Sequence, residues 1–232
     1  MSRHSGRGVS SKLLSSLSPH SAAAEAYRLL RTNLRFASVD HPVRSVAVTS
    51  ALPDDGKSLT ASNLAITMAQ AGARTLLVDA DLRKPGLHKL FLIQNRGGLT
   101  STIVGLQKVE DAVQPAAVDN LWVLAAGEKP PNPAEIIQSE AMHRVHRSLS
   151  GDFDFVVYDC PPVLPAVEAI DLSAMADGAI LVVRAEVTPK DAVKQALDQI
   201  RAARASLLGV VLNGTKQSGG YGYQYYSYSY GS

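Results

Sequence analysis

Hydrophobic residues gather in short unbroken runs along this chain, and the stretches between them repeat at helical spacing. The runs are Ser45-Val46-Ala47-Val48-Thr49-Ser50, Thr75-Leu76-Leu77-Val78, Leu121-Trp122-Val123-Leu124, Phe153 to Asp159, Gly178 to Val183 and Leu208 to Leu212. They are too apolar to leave one face in water, so each reads as a strand buried on both sides. After the first run, Leu64, Ala65 and Met68 share one face of a helix that stops at Gly72. Gly98 to Gly105 predicts a short helix, and Thr188-Pro189 opens another that runs to about Ala205. Asn132-Pro133-Ala134-Glu135 combines an N-cap, a proline at the first helical position and an acid at the third, and predicts a helix to about Ser148. Nearer the N-terminus, Tyr27, Leu30, Leu34 and Ala37 recur at helical spacing, which predicts an amphipathic helix from Glu25 to about Ala37. Short buried strands alternating with helices define an α/β class: a doubly wound, mainly parallel sheet with helices on both faces. No internal repeat is visible.

The two ends depart from this pattern. Residues 1–24 are rich in Ser and Ala, lack acidic side chains and carry Arg3, Arg7 and Lys12. A flexible basic arm is expected over residues 1–20, ahead of a main domain at 21–216. Residues 217–232 read QSGGYGYQYYSYSYGS, with no charged and no aliphatic side chain. Six of the eight tyrosines fall here: Tyr221, Tyr223, Tyr225, Tyr226, Tyr228 and Tyr230. Such a segment cannot build a core, and a disordered tail is expected.

Composition narrows the picture. Hydrophobic residues make up 46% of the 232 and charged ones 19%, enough for a sizeable core. A net charge of +2 offers no global attraction for nucleic acid, and none is expected as a partner. The single cysteine, Cys160, suits a reducing compartment. No uncharged apolar run approaches the roughly 18 residues of a membrane span. A cytoplasmic location is therefore expected.

The chemistry gathers at strand ends. The first strand leads into Ala51-Leu52-Pro53-Asp54-Asp55-Gly56-Lys57-Ser58 and then a helix, which is the P-loop pattern. Backbone N–H groups there converge on phosphate, Lys57 adds positive charge, and the Ser58 hydroxyl can hold Mg²⁺. Ala51 stands where the first glycine is usual, and Pro53 stiffens the loop. As part of a solvent-facing loop, Lys57 is expected to tolerate replacement by Met without loss of fold. The second strand ends in Asp79-Ala80-Asp81-Leu82-Arg83, with two carboxylates leaving one side. Like charges so close call for a cation beside them, and strand C-termini are where open α/β sheets bind ligands. The fourth strand also ends in an acid, Asp159, a Walker B pattern that helps hold Mg²⁺. Cys160 reads as a packing residue, with no histidine close in sequence. Glu25, Arg28, Arg31 and Arg35 fall on the polar side of the N-terminal helix, where a solvated face is the ordinary reading.

Together these residues resemble a known family. The loop ending GKS, the strand LLVDADLRKP and the strand FVVYDCPP are similar to motifs A, A′ and B of bacterial protein-tyrosine kinases of the capsule and exopolysaccharide type. EAYRLLR resembles that family's oligomerisation motif, and the tyrosine cluster its autophosphorylation region. The resemblance runs from about Ser21 to the end. It implies ATP and Mg²⁺ as cofactors, bound by Pro53, Asp54, Asp55, Gly56, Lys57, Ser58 and Leu59. Lys57, Asp79, Asp81 and Asp159 would be catalytic; Ser58 and those three aspartates would hold the metal, Asp159 directly or through another ligand. Either Asp79 or Asp81 would take the tyrosine proton. Arg83 would lie near the phosphates, and Asn213 would contact the base. Glu25, Arg28 and Arg31 would build a ring-like homo-oligomer. The six tail tyrosines would be phosphorylated between subunits. A separate membrane-embedded activator and tyrosine-bearing protein substrates would be partners, with recruitment to the inner face of the membrane. Partitioning and septum-positioning ATPases share this fold, but usually add a lysine early in the loop, where this chain has none. A non-catalytic assembly module with an adhesive tail would have no need for the three aspartates, Lys57 and Ser58 together.

Overall fold

The computed structural model describes residues 13, 20–37 and 42–215. The tail with its six tyrosines and most of the basic arm lie outside the described residues. Among the described residues the sheet has seven strands: β1 (Ser45–Ser50), β2 (Thr75–Asp79), β3 (Val113–Pro115), β4 (Leu121–Leu124), β5 (Phe155–Asp159), β6 (Gly178–Arg184) and β7 (Leu207–Asn213). Their order is β3-β4-β2-β5-β1-β6-β7, parallel throughout except for the β3–β4 pair.

Alternation along each strand sends side chains to opposite faces. Val46, Val48, Leu77, Val157 and Ile180 meet α2 (Lys57–Gln70), with α1 (Ala22–Phe36) packed outside it. Ala47, Leu76, Val78, Val156 and Tyr158 face the other way, onto α4 (Leu99–Ile103), α6 (Pro133–Ile137), α7 (Glu140–Asp152) and α8 (Glu168–Met175). Leu181 and Val183 pack beneath α9 (Lys190–Ala202). Two short helices, α3 (Leu87–Phe91) and α5 (Val109–Ala112), complete the set.

The predicted class holds, and several boundaries move for local reasons. α1 begins at Ala22, because Ser21 Oγ accepts from Ala24 N at 3.2 Å and caps the helix. The helix expected from Asn132 to Ser148 is two helices. Ser139 Oγ accepts from Met142 N at 3.2 Å and starts a second one. Asn132 is not a side-chain cap; its amide donates instead to Glu135 Oε2. The last strand extends through Asn213, and the helix before it ends at Ala202.

Candidate active site

Register brings the acids together. β5 lies between β2 and β1, pairing Asp79 with Asp159 and Val48 with Asp159. The P-loop therefore leaves β1 directly beside both carboxylates, at the C-terminal edge of the sheet.

The loop is braced from inside the protein. Gly56 sits at φ +96°, and a Cβ there would meet Asn213 Nδ2 at 1.9 Å. Glycine is thus required both for its backbone conformation and for space. Asn213 Nδ2 donates to Asp55 O at 2.9 Å. The buried Asp55 carboxylate accepts from Leu52 N at 3.2 Å and from Thr188 Oγ1 at 2.6 Å. Arg184 Nη1 reaches Asp54 O at 3.4 Å. Asp55 and Asn213, expected to touch nucleotide, here hold the loop's shape. Thr188 and Arg184 join them without any sequence signal, since only the fold brings β6 and its following turn to residue 55.

Lys57 is the first residue of α2 and only 8% exposed, which corrects the expectation of a solvent-facing side chain. Its Nζ donates to Asp81 Oδ2 at 2.8 Å, lies 3.5 Å from Asp159 Oδ1 and 3.4 Å from Ser58 Oγ. Burial works to lower the Lys57 pKa, but the charges of Asp159 and Asp81 outweigh it and hold it above the ordinary value. Asp79 is fully buried, with Oδ2 accepting from Gly86 N at 3.0 Å and Leu87 N at 2.9 Å. Burial, then repulsion from Asp159, push its carboxyl up to about 7. Burial likewise raises the Asp159 carboxyl, against the opposing pull of Lys57. Cys160 is also buried, its thiol pushed well up by burial, which suits packing and not nucleophilic attack.

Asp79 Oδ1 and both Asp159 oxygens are buried without a hydrogen-bond partner among the described residues. Buried acceptors left without hydrogen bonds, Asp159 Oδ1 only 3.5 Å from Lys57 Nζ, fit a divalent cation beside the Ser58 hydroxyl. Among the described residues no three His, Cys, Asp or Glu side chains form a metal cage by themselves. Mg²⁺ needs none, since it is usually held by one or two carboxylates, waters and substrate phosphates.

A cavity of about 590 Å³ opens above this cluster, a size suited to a nucleotide. Pro53, Asp54, Gly56, Lys57, Ser58 and Leu59 form one wall, and Asp81 and Arg83 another. Asp79 and Asp159 are not among its lining residues. Arg83 is held by Glu168, itself fully buried at the start of α8: Nε donates to Oε1, and Nη2 to Oε2 at 3.1 Å. Glu168 was not foreseen, because α8 carries no side-chain cap to announce it.

On α1, Glu25 and Arg28 form an ion pair on the exposed side. Arg31 differs, since its Nη1 donates to Thr67 O of α2 at 3.2 Å.

The braced loop, the buried lysine and the acidic strand ends define the P-loop class of nucleotide-binding proteins. Residues 44–209 match the AAA domain family. The chain is 40% identical over 224 residues to the tyrosine-protein kinase YwqD of Bacillus subtilis (strain 168), covering 97% of this chain and 94% of that protein. It is 35% identical over 208 residues to the putative tyrosine-protein kinase CapB of Staphylococcus aureus, covering 90% and 91%. The crystal structure of the chimerical protein CapA2B2 superposes with a TM-score of 0.84 at 39% identity, covering 87% of this chain and 89% of that one. The chain belongs to the bacterial tyrosine-protein kinases.

Proposed function

We propose that this kinase moves the γ-phosphoryl group of ATP onto tyrosines in the C-terminal tail of a neighbouring copy, and thereby regulates capsular or extracellular polysaccharide synthesis or export. The observation that carries this reading is that Lys57, Ser58 and Asp81 line one cavity, with Asp79 and Asp159 buried at the neighbouring strand ends. Phosphoryl transfer rests mainly on positioning and charge stabilisation. Backbone N–H groups of the loop and Lys57 hold the phosphates. Ser58 and Asp159 would hold Mg²⁺, with Asp79 behind them; the ion would supply charge neutralisation at the phosphates. The tyrosine oxygen bonds to the γ-phosphorus as the bond to the bridging β–γ oxygen breaks, and ADP leaves. The phenol proton passes to a carboxylate. Of the acids that end β2, Asp81 is the one that lines the cavity, so it takes that role here, with Asp79 fixing the turn that carries it. Mapping phosphate on the purified full chain after incubation with Mg²⁺-ATP tests the whole reading.

Transfer between copies needs an assembly. The Glu25–Arg28 pair lies on the outer, partly exposed side of α1, a placement that supports a ring-like oligomer. Arg31 would act mainly by seating α1 on α2. Glu25→Ala with Arg28→Ala should shift the protein towards monomer with an unchanged thermal midpoint, whereas Arg31→Ala should lower the midpoint as well. Light scattering that gives the parent's mass for the double variant, where the parent is oligomeric, would sink the assignment.

No helix of the described residues is long and apolar enough to cross a membrane. A separate membrane-embedded activator would place the enzyme at the inner face. Co-purification with membranes that does not depend on any second protein would contradict it.

A further inference from the structure

The chain that leaves β2 carries cations past those the transfer itself employs. Arg83, Lys84 and Lys89 all line the cavity, and Pro161, Pro162 and Pro165 line it too, Pro165 exposed. The Lys84 side chain is 79% exposed, and its ion pair with Asp54 is loose: 3.9 Å, with the acid 81% exposed. Such a pair contributes little and is easily exchanged. Lys89 is exposed and has no ion-pair partner among the described residues. Arg83 spends Nε and Nη2 on Glu168, which fixes it at the rim.

This rim does not match the unmodified tail. Residues 217–232 contain no acid for it to attract. Phosphate changes that, adding about −1.5 to −2 charges per tyrosine at neutral pH. The spacing of the tyrosines also fits. Tyr221 and Tyr223, and Tyr226, Tyr228 and Tyr230, alternate with other residues. In an extended strand, residues two apart project to the same side about 7 Å from one another. One tyrosine can then face the reacting phosphate while its phosphorylated neighbour lies outside it, on the rim. Pro165, exposed on the same lining, offers an apolar surface for a ring between them.

We propose that Lys84 and Lys89, with Arg83 behind them, form a docking site for phosphotyrosine on the tail of another copy. The site makes each phosphate favour the next on the same tail. The inference rests on the tail being the acceptor.

The test is Lys84→Ala combined with Lys89→Ala in the full chain, followed by intact mass spectrometry during incubation with Mg²⁺-ATP. The first phosphate should appear at the parental rate and with the parental KM for ATP, while chains with two or more phosphates accumulate about fivefold more slowly. In parallel, a peptide of residues 217–232 phosphorylated at Tyr228 should bind the parent about tenfold more tightly than the unmodified peptide, and the variant should lose that difference. Unchanged phosphate distributions with equal peptide affinities would overturn the proposal. A raised KM for ATP with every phosphate slowed alike would also overturn it, since the lysines would then hold nucleotide. A parent that forms no phosphotyrosine defeats the proposed function instead, and peptide binding still decides the docking site.

Discussion

Lys57→Met is expected to lower tyrosine phosphorylation by on the order of 10³-fold, the scale set by removing a group that stabilises transition-state charge. The fold will register the loss too. Lys57 is buried against Asp81 and Asp159, and leaving buried charge uncompensated costs about 3–5 kcal/mol where no proton can be taken up. Here protons can be taken up. The Asp79 carboxyl already sits near 7, above its unfolded value of 3.8, and Asp159 is raised as well. A carboxyl raised in the folded state binds its proton more tightly there than in the unfolded chain. Its stabilising contribution is complete below the unfolded pKa and is lost as pH rises through the folded pKa. The parent should therefore lose stability between pH 5 and 8 from this group, and Lys57→Met should lose more. Thermal midpoints at both pH values check this. Equal midpoints for Lys57→Met at pH 5 and 8 would show that the acids do not carry the charge assigned to them. Lys57→Arg, which retains the charge, separates the two effects: it should keep most of the stability and little of the activity.

Replacing all six tail tyrosines by Phe is the second large effect. Phosphotyrosine should fall to a small fraction of the parent's while ATP binding stays intact. Two tyrosines remain, Tyr27 and Tyr158. Tyr158 is fully buried, its hydroxyl 2.8 Å from His146 Nδ1, and burial pushes its pKa above the ordinary phenol value. It cannot reach a phosphate without unfolding β5. Tyr27 is half-buried against the core beneath α1. Phosphotyrosine retained at the parental level in the Phe variant would mean that the tail is not the principal acceptor.

What could be read from the chain follows physical range. The parallel sheet was legible because strands buried on both faces must be apolar along their length, as Val46 to Val48 and Leu76 to Val78 are. The acids at strand ends were legible because register alone brings Asp79 beside Asp159. β3 was missed, being three residues with a proline at its end, and α8 has no cap to mark it. The burial of Lys57 was misjudged because a loop position says nothing of the carboxylates that close over it. Asp55 and Asn213 are expected to touch nucleotide, yet their hydrogen-bond partners here are Thr188 for Asp55 and the Asp55 carbonyl for Asn213. Only the assembled fold shows that they shape the loop.

The central claim is transfer to the tail, and phosphosite mapping of the purified full chain after incubation with Mg²⁺-ATP tests it most directly. The account predicts phosphotyrosine at several of Tyr221, Tyr223, Tyr225, Tyr226, Tyr228 and Tyr230, dependent on Lys57. Release of inorganic phosphate with no phosphotyrosine in the tail would contradict it and point to a switch ATPase on the same fold.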